Sequence, residues 1–166
     1  MEHNSGKPIR FIFWVYLIIL MILAVLLVIA LRSCRQPQVS FSATKSGENI
    51  EFKIHLTNAN GLAWIQIFDR QAQRLFWSVS LNYYPGPDLV YGQVPQSFLT
   101  LSGNLNSARQ QYPESDQRPL KLPIGKELVA QLHYHYVVPF HKAVGGKQFS
   151  FLIEPSGLIR SWETQE

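Results

Sequence analysis

His133 and His135, separated only by Tyr134, form the most suggestive spacing for chemistry in the chain. On a β-strand, residues i and i+2 project from one face, so the pair can chelate a metal ion through neutral imidazole nitrogens. His141, beyond Pro139, is the candidate third ligand, and His55 is the alternative from another strand. By alternation the same face carries Glu127, Val129 and Gln131, which makes it the more solvent-exposed side. The plainer reading is two partly exposed histidines, with Tyr134 and Tyr136 packing the core on the other face.

A second candidate is the run Tyr83 to Pro95, YYPGPDLVYGQVP. Tyr83, Tyr84 and Tyr91 offer large contact area at small entropic cost, and Pro85 and Pro87 stiffen the loop, which suits a binding surface. The competing reading is that these rings cover one end of the domain core.

Catalytic strings are weaker. Ser42-Ala43-Thr44-Lys45 fits S-x-x-K, Ser102-Gly103-Asn104 fits S-x-N, and Lys45-Ser46-Gly47 fits K-[ST]-G, the three elements of penicillin-recognising enzymes. Lys45 would have to serve two roles, however, and the first string lies in a strand pattern where that chemistry needs a helix. No G-x-S-x-G, phosphate-cradling glycine loop or H-E-x-x-H occurs. The sequence therefore predicts no enzyme and no cofactor. Cys34, the single cysteine, follows Leu31-Arg32-Ser33, which matches a bacterial lipoprotein signal at Leu31 and Ser33 but not at Arg32. Cys34 is thus a candidate lipidation site, with an unmodified thiol as the plain alternative.

These side chains need elements to hold them. Phe11–Leu31, FIFWVYLIILMILAVLLVIAL, contains no charge, Gly, Pro, Asn or Gln. As a helix its twenty-one residues would extend about 31 Å, enough for a hydrocarbon core of about 30 Å. Trp14 and Tyr16 suit an interface. The run is too long for a cleavable signal. Residues 1–10 are read as a cytoplasmic tail, 11–31 as a transmembrane helix, 32–37 as a juxtamembrane linker and 38–166 as the soluble domain. Lys7 and Arg10 before the span balance Arg32 and Arg35 after it, so the positive-inside rule is silent; the short tail favours the domain outside the cytoplasm.

Charge follows the same division. Residues 1–35 hold four basic side chains against Glu2, a net +3; the rest has eleven Lys/Arg against ten Asp/Glu, a net +1. A nearly neutral domain argues against nucleic acid as a partner, because phosphate neutralisation needs clustered Lys and Arg.

Period-two alternation then recurs. Val39, Phe41 and Ala43 share one face, and Ile50, Phe52, Ile54 and Leu56 another. Leu62–Asp69 and Arg74–Asn82 form a pair, with Leu75, Trp77, Val79 and Leu81 on one side. Leu128, Ala130, Leu132, Tyr134 and Tyr136 mark a long strand, Phe149, Phe151 and Ile153 a strand after Gly145-Gly146, and Leu158–Trp162 a last one. Leu89–Tyr91 is at most a short strand, and Asn104–Arg118 reads as an exposed loop. Seven or eight strands predict an all-β domain, an immunoglobulin-like or fibronectin-like β-sandwich, with a small barrel as the alternative.

The series Phe76-Trp77-Ser78-Val79, Tyr91 to Phe98, Pro119-Leu120, Gly125-Lys126, Phe149-Ser150-Phe151 and Gly157 resembles small uncharacterised bacterial envelope proteins, often lipoproteins with one β-sandwich domain. The resemblance implies no transferable activity. The expected function is a membrane-anchored, extracytoplasmic module in protein binding or envelope assembly. Lipid would be its partner through residues 11–31, and another envelope protein through the domain. A metal-binding envelope protein using His133 and His135 is the alternative.

Overall fold

The computed structural model describes residues 7–33, 36–86, 88–114, 117–138 and 141–164. The chain divides into two units, Met1–Arg35 and Gln36–Glu166.

The first unit is one helix, α1 (Lys7–Ser33). It outruns the apolar stretch at both ends. Pro8 is no obstacle in the first turn, where its missing N–H would have had no helical partner. Side chains from Ile12 to Ile29 are all exposed, and this helix is long and apolar enough to cross a membrane.

The second unit is all-β. Its strands are β1 (Gln38–Ser46), β2 (Asn49–Thr57), β3 (Gly61–Asp69), β4 (Arg74–Tyr84), β5 (Asp88–Val90), β6 (Phe98–Leu99), β7 (Leu105–Asn106), β8 (Arg109–Tyr112), β9 (Glu127–Val138), β10 (His141–Ile153) and β11 (Ile159–Glu163). Among the described residues every strand pair is antiparallel. One sheet has the order β1-β2-β5, a second β11-β10-β9-β3-β4-β8, and β6-β7 form a small separate hairpin.

The alternation decides how the two large sheets meet. Val39, Phe41 and Ala43 of β1 and Phe52 and Ile54 of β2 are buried, as are Ile65, Ile67, Val79, Leu81, Leu128, Ala130, Leu132 and Phe151 from the other sheet. Phe41 stacks on Phe149 with ring centroids 5.4 Å apart, and Phe52 on Trp77 at 6.3 Å. Phe52 also meets Phe151 edge-on at 5.8 Å. Offset and edge contacts of this kind add about 0.5–1.5 kcal/mol per pair beyond the area buried.

Four expectations need correction. The strands number eleven among the described residues, because the segment between β4 and β9 folds into short paired pieces that have no room to show a period. Asn104–Arg118 is not a plain exposed loop: β8 pairs with β4, and Gln110 is buried. Gln110 Oε1 accepts the indole N–H of Trp77 at 3.2 Å, while Nε2 lies 3.0–3.2 Å from the carbonyl oxygens of Pro113, Glu114 and Gln117. One amide thus satisfies the Trp77 indole in the core and gathers the backbone that follows β8.

Leu75 also changes sides. Ile67 pairs with Trp77 but Phe68 with Leu75, so Phe76 is an extra residue in β4. This bulge sends Phe76 into the core and leaves Leu75 half-buried beside Phe68 on the opposite face. Finally, β10 continues through Gly145-Gly146 instead of starting after them. A Cβ at Gly145 would lie 2.6 Å from the Tyr134 ring, so only glycine lets that ring lie against the strand.

Gln110→Ala is expected to destabilise the full chain in detergent by about 2 kcal/mol, since it strands the buried Trp77 N–H and two or more carbonyls. The exposed neighbour Gln111→Ala should stay within about 0.5 kcal/mol of the parent. Urea titrations followed by Trp fluorescence compare the two.

Candidate binding site

The outward face of the six-stranded sheet is laid out in cross-strand rows. Ser78, Gln66, Gln131 and Gln148 stand opposite one another in one row, and Gln66 Nε2 donates to Ser78 Oγ at 3.4 Å. The next row is Ser80, Trp64, His133 and Gly146. Its Trp64 and His133 rings stack 3.9 Å apart at 20°. A Cβ at position 146 would stand 3.3 Å from His133 Cε1, so Gly146 leaves the imidazole uncrowded.

A second stack needs a break in the ladder. Leu62 pairs with Tyr84 and Trp64 with Ser80, which leaves Ala63 of β3 facing three residues of β4, Leu81, Asn82 and Tyr83. The surplus chain puckers, with φ of 43° at Asn82 and 70° at Tyr83. Asn tolerates the left-handed region, whereas a bulky residue there is an outlier costing about 1–2 kcal/mol. The pucker carries the Tyr83 ring onto His135, 3.9 Å away at 17°. His135 lies opposite Gly61 of β3, and a Cβ at Gly61 would come within 2.7 Å of the Tyr83 carbonyl. A side chain at 61 would therefore exclude this arrangement.

All four stacked side chains are half-buried. Burial pushes the His133 imidazole below its ordinary value, and His135 is lowered by burial and then by the positive charge of Lys142. Both shifts favour the neutral imidazole. Lys142 Nζ lies 5.7 Å from the Tyr83 ring centroid, within cation–π range. Beside Tyr83 and Lys142 opens a cleft of about 680 Å³, with Asn60, Thr100, Ser102 and Asn104 on its walls. Flat aromatic surfaces, amides, hydroxyls and one cation make a surface for recognition.

The residues singled out from sequence are divided among three places. His133 and His135 do share a face, as i and i+2 spacing requires, but each is stacked on an aromatic ring. Val129 on the same face is fully buried, so that side is less open than alternation alone implies. His55 pairs with Ser40 in the other large sheet. The backbone of His141 pairs with Val138, three residues beyond His135; its side chain, like Cys34, lies outside what is described. Among the described residues no group of three or more His, Cys, Asp or Glu side chains is placed to hold a metal.

Of the tyrosines, only Tyr83 joins the stacked face. Tyr84 meets Phe98 edge-on at 5.0 Å and donates to the Asp88 carbonyl at 3.0 Å, and its hydroxyl pKa is raised by burial and by Asp88. Tyr91 packs edge-on against Trp77 at 5.4 Å and donates to the Leu120 carbonyl at 2.7 Å. Burial drives its pKa far upward, as suits a ring that closes the core. Trp64 and Lys142 were not anticipated. Trp64 had a visible signal, since it falls in the outward phase of β3 with Gln66 and Phe68, where a large ring is out of place.

No family model, no curated protein and no solved structure matches this chain.

Two outcomes follow. Tyr83→Gly and Tyr83→Ala both remove the ring, but only Gly relieves the left-handed backbone, so the Gly variant should be the more stable by about 1 kcal/mol in urea titrations. The lowered histidines also predict a pH effect. Between their folded values and the ordinary 6.5 the unfolded chain binds more protons, so stability is complete above that range and falls as the pH drops through it. The His133→Gln/His135→Gln variant should lose less stability than the parent between pH 7.5 and 5, and Lys142→Met should raise the NMR titration midpoint of His135 while leaving that of His133 in place.

Proposed function

We propose that this protein is a single-pass membrane protein whose extracytoplasmic domain is a β-sandwich that binds another envelope protein. The length and exposure of α1 support the anchor, and the motif series from Phe76 to Gly157 supports the envelope setting. The immunoglobulin-like comparison extends to two packed antiparallel sheets; the three-plus-six division and the order β11-β10-β9-β3-β4-β8 are distinct from the four-plus-three immunoglobulin arrangement.

The observation that carries the reading is Tyr83, a bulky residue kept at positive φ so that its ring lies on an outward face beside Trp64, His133 and His135. Strained backbone persists where the surrounding structure enforces it, and such positions cluster at functional sites. Rigid, half-exposed aromatic rings are the residues from which protein interfaces draw most of their affinity. The metal reading of His133 and His135 has no comparable support, because no third ligand stands near them among the described residues.

A photo-crosslinking amino acid at Ser80, which adjoins Trp64 in the same row, tests the reading in native membranes. The expected product is a covalent adduct with a second envelope protein that disappears in the Trp64→Ala background; recovery of the monomer alone counts against it. A phosphatase fused after Glu166 should be active, and activity only of a cytoplasmic reporter would overturn the compartment.

A further inference from the structure

We propose that the β6–β7 hairpin is a lipid-contacting element whose leucines enter the headgroup–acyl boundary of the bilayer; the inference rests on the single-pass reading above. Leu99, Leu101 and Leu105 are 61, 69 and 72% exposed, and no charged residue occurs from Ser97 to Ala108. Three adjacent leucines on one uncharged tip make a continuous apolar projection, unlike the scattered apolar side chains of an ordinary surface.

The tip also pairs several of its own polar groups. Thr100 N–H donates to the Asn104 carbonyl at 2.9 Å, and Gly103 N–H to the Thr100 carbonyl at 2.8 Å. Asn104 N–H donates to Thr100 Oγ1 at 3.1 Å, and the Thr100 and Ser102 hydroxyls pair at 2.9 Å. A segment that leaves water needs this, because lipid offers no replacement partners. The hairpin is braced from behind, with Phe98 against Tyr84 and Asn106 Nδ2 donating to the Asn82 carbonyl at 3.0 Å.

Position selects the bilayer as the occupant. The first residue of β1, Gln38, pairs with Thr57, and Asn60, three residues on, lines the same cleft as Leu101 and Asn104. The hairpin therefore belongs to the end of the domain at which the chain joins it. Five residue steps separate Ser33 of α1 from Gln38, and extended chain covers at most about 18 Å in that many. Lys142, on the same cleft, adds a long cation of the kind that reaches anionic headgroups from an interface. At the opposite end, Ile124 and Leu158 are both 56% exposed but stand among charges. Ile124 shares a cleft with Lys45, Glu48 and Lys121, and Leu158 lies between the ion-paired Glu154 and Arg160.

The test uses the full chain carrying Cys34→Ser, reconstituted in bilayers of zwitterionic and anionic phospholipid. A polarity-sensitive fluorophore is placed at Leu101→Cys, at Glu48→Cys in the β1–β2 turn, or at Leu20→Cys within α1. The expected result is quenching by spin-labelled lipid at positions 20 and 101, with iodide access at 101 about threefold below that at 48, as for side chains seated at an interface. Lipid quenching at 20 with equal iodide access at 101 and 48 overturns the hairpin proposal and leaves the anchor standing. Absence of lipid quenching at 20 overturns the anchor and the proposal together. Shielding of 101 in native membranes but not in pure lipid also overturns it, in favour of a protein occupant.

Discussion

The domain depends on one contact layer, in which Phe41 and Phe52 of the smaller sheet lie against Trp77, Phe149 and Phe151 of the larger. A strand has only two faces, so committing these rings to the interior commits every second residue to the exterior. The outward rows of glutamines, stacked aromatics and histidines follow from that layer. A slip of one residue in β9 would bring His133 inward and turn Leu132 out. Tyr91 and Gln110 extend the same constraint to chain that has no long strand, because each terminates on Trp77. Two separate stretches of the irregular segment between β4 and β9 thus meet at one indole.

The outward surface obeys a different rule, in which space is made by leaving atoms out. Gly146 keeps His133 uncrowded and Gly61 leaves room for Tyr83. The imidazoles are then rings in aromatic company, their pKa values lowered by burial and, at His135, by Lys142. The stacked rings offer flat, weakly polar surfaces, and the neutral form that their packing favours is also the one that ligates metal. Lys142 is the charged member of the group, placed between this face and the cleft bounded by the β6–β7 hairpin.

Much of the framework was legible in the amino-acid order. The apolar run of α1 and the alternation in β1, β2, β3, β4 and β9 can be read directly, since each strand has one wet and one dry face. Less could be read where register changes. The Phe76 bulge exchanges Leu75 for Phe76 in the core, and periodicity cannot show which of two adjacent apolar residues is extra. Gln110 looks like a surface residue because its partners, Trp77 and three carbonyls, are set by tertiary structure. The Tyr83–His135 stack joins residues far apart in sequence through a backbone conformation that tyrosine does not advertise. The face carrying the histidines was legible, but what touches them was not.

The pucker at Asn82 and Tyr83 has an arithmetic consequence. Between the pairs Leu62–Tyr84 and Trp64–Ser80, β4 holds two more residues than β3. On its other side β3 has a surplus of its own, because Leu62 pairs with Tyr134 and Trp64 with His133, which leaves Ala63 without a partner on β9. Ala63 shifts the phase of β3, so that Leu62 and Ile65 both face the core while Trp64 between them faces outward. At one level of the sheet β4, β3 and β9 thus hold three, one and no residues, and it is the longest of these stretches that carries the Tyr83 ring.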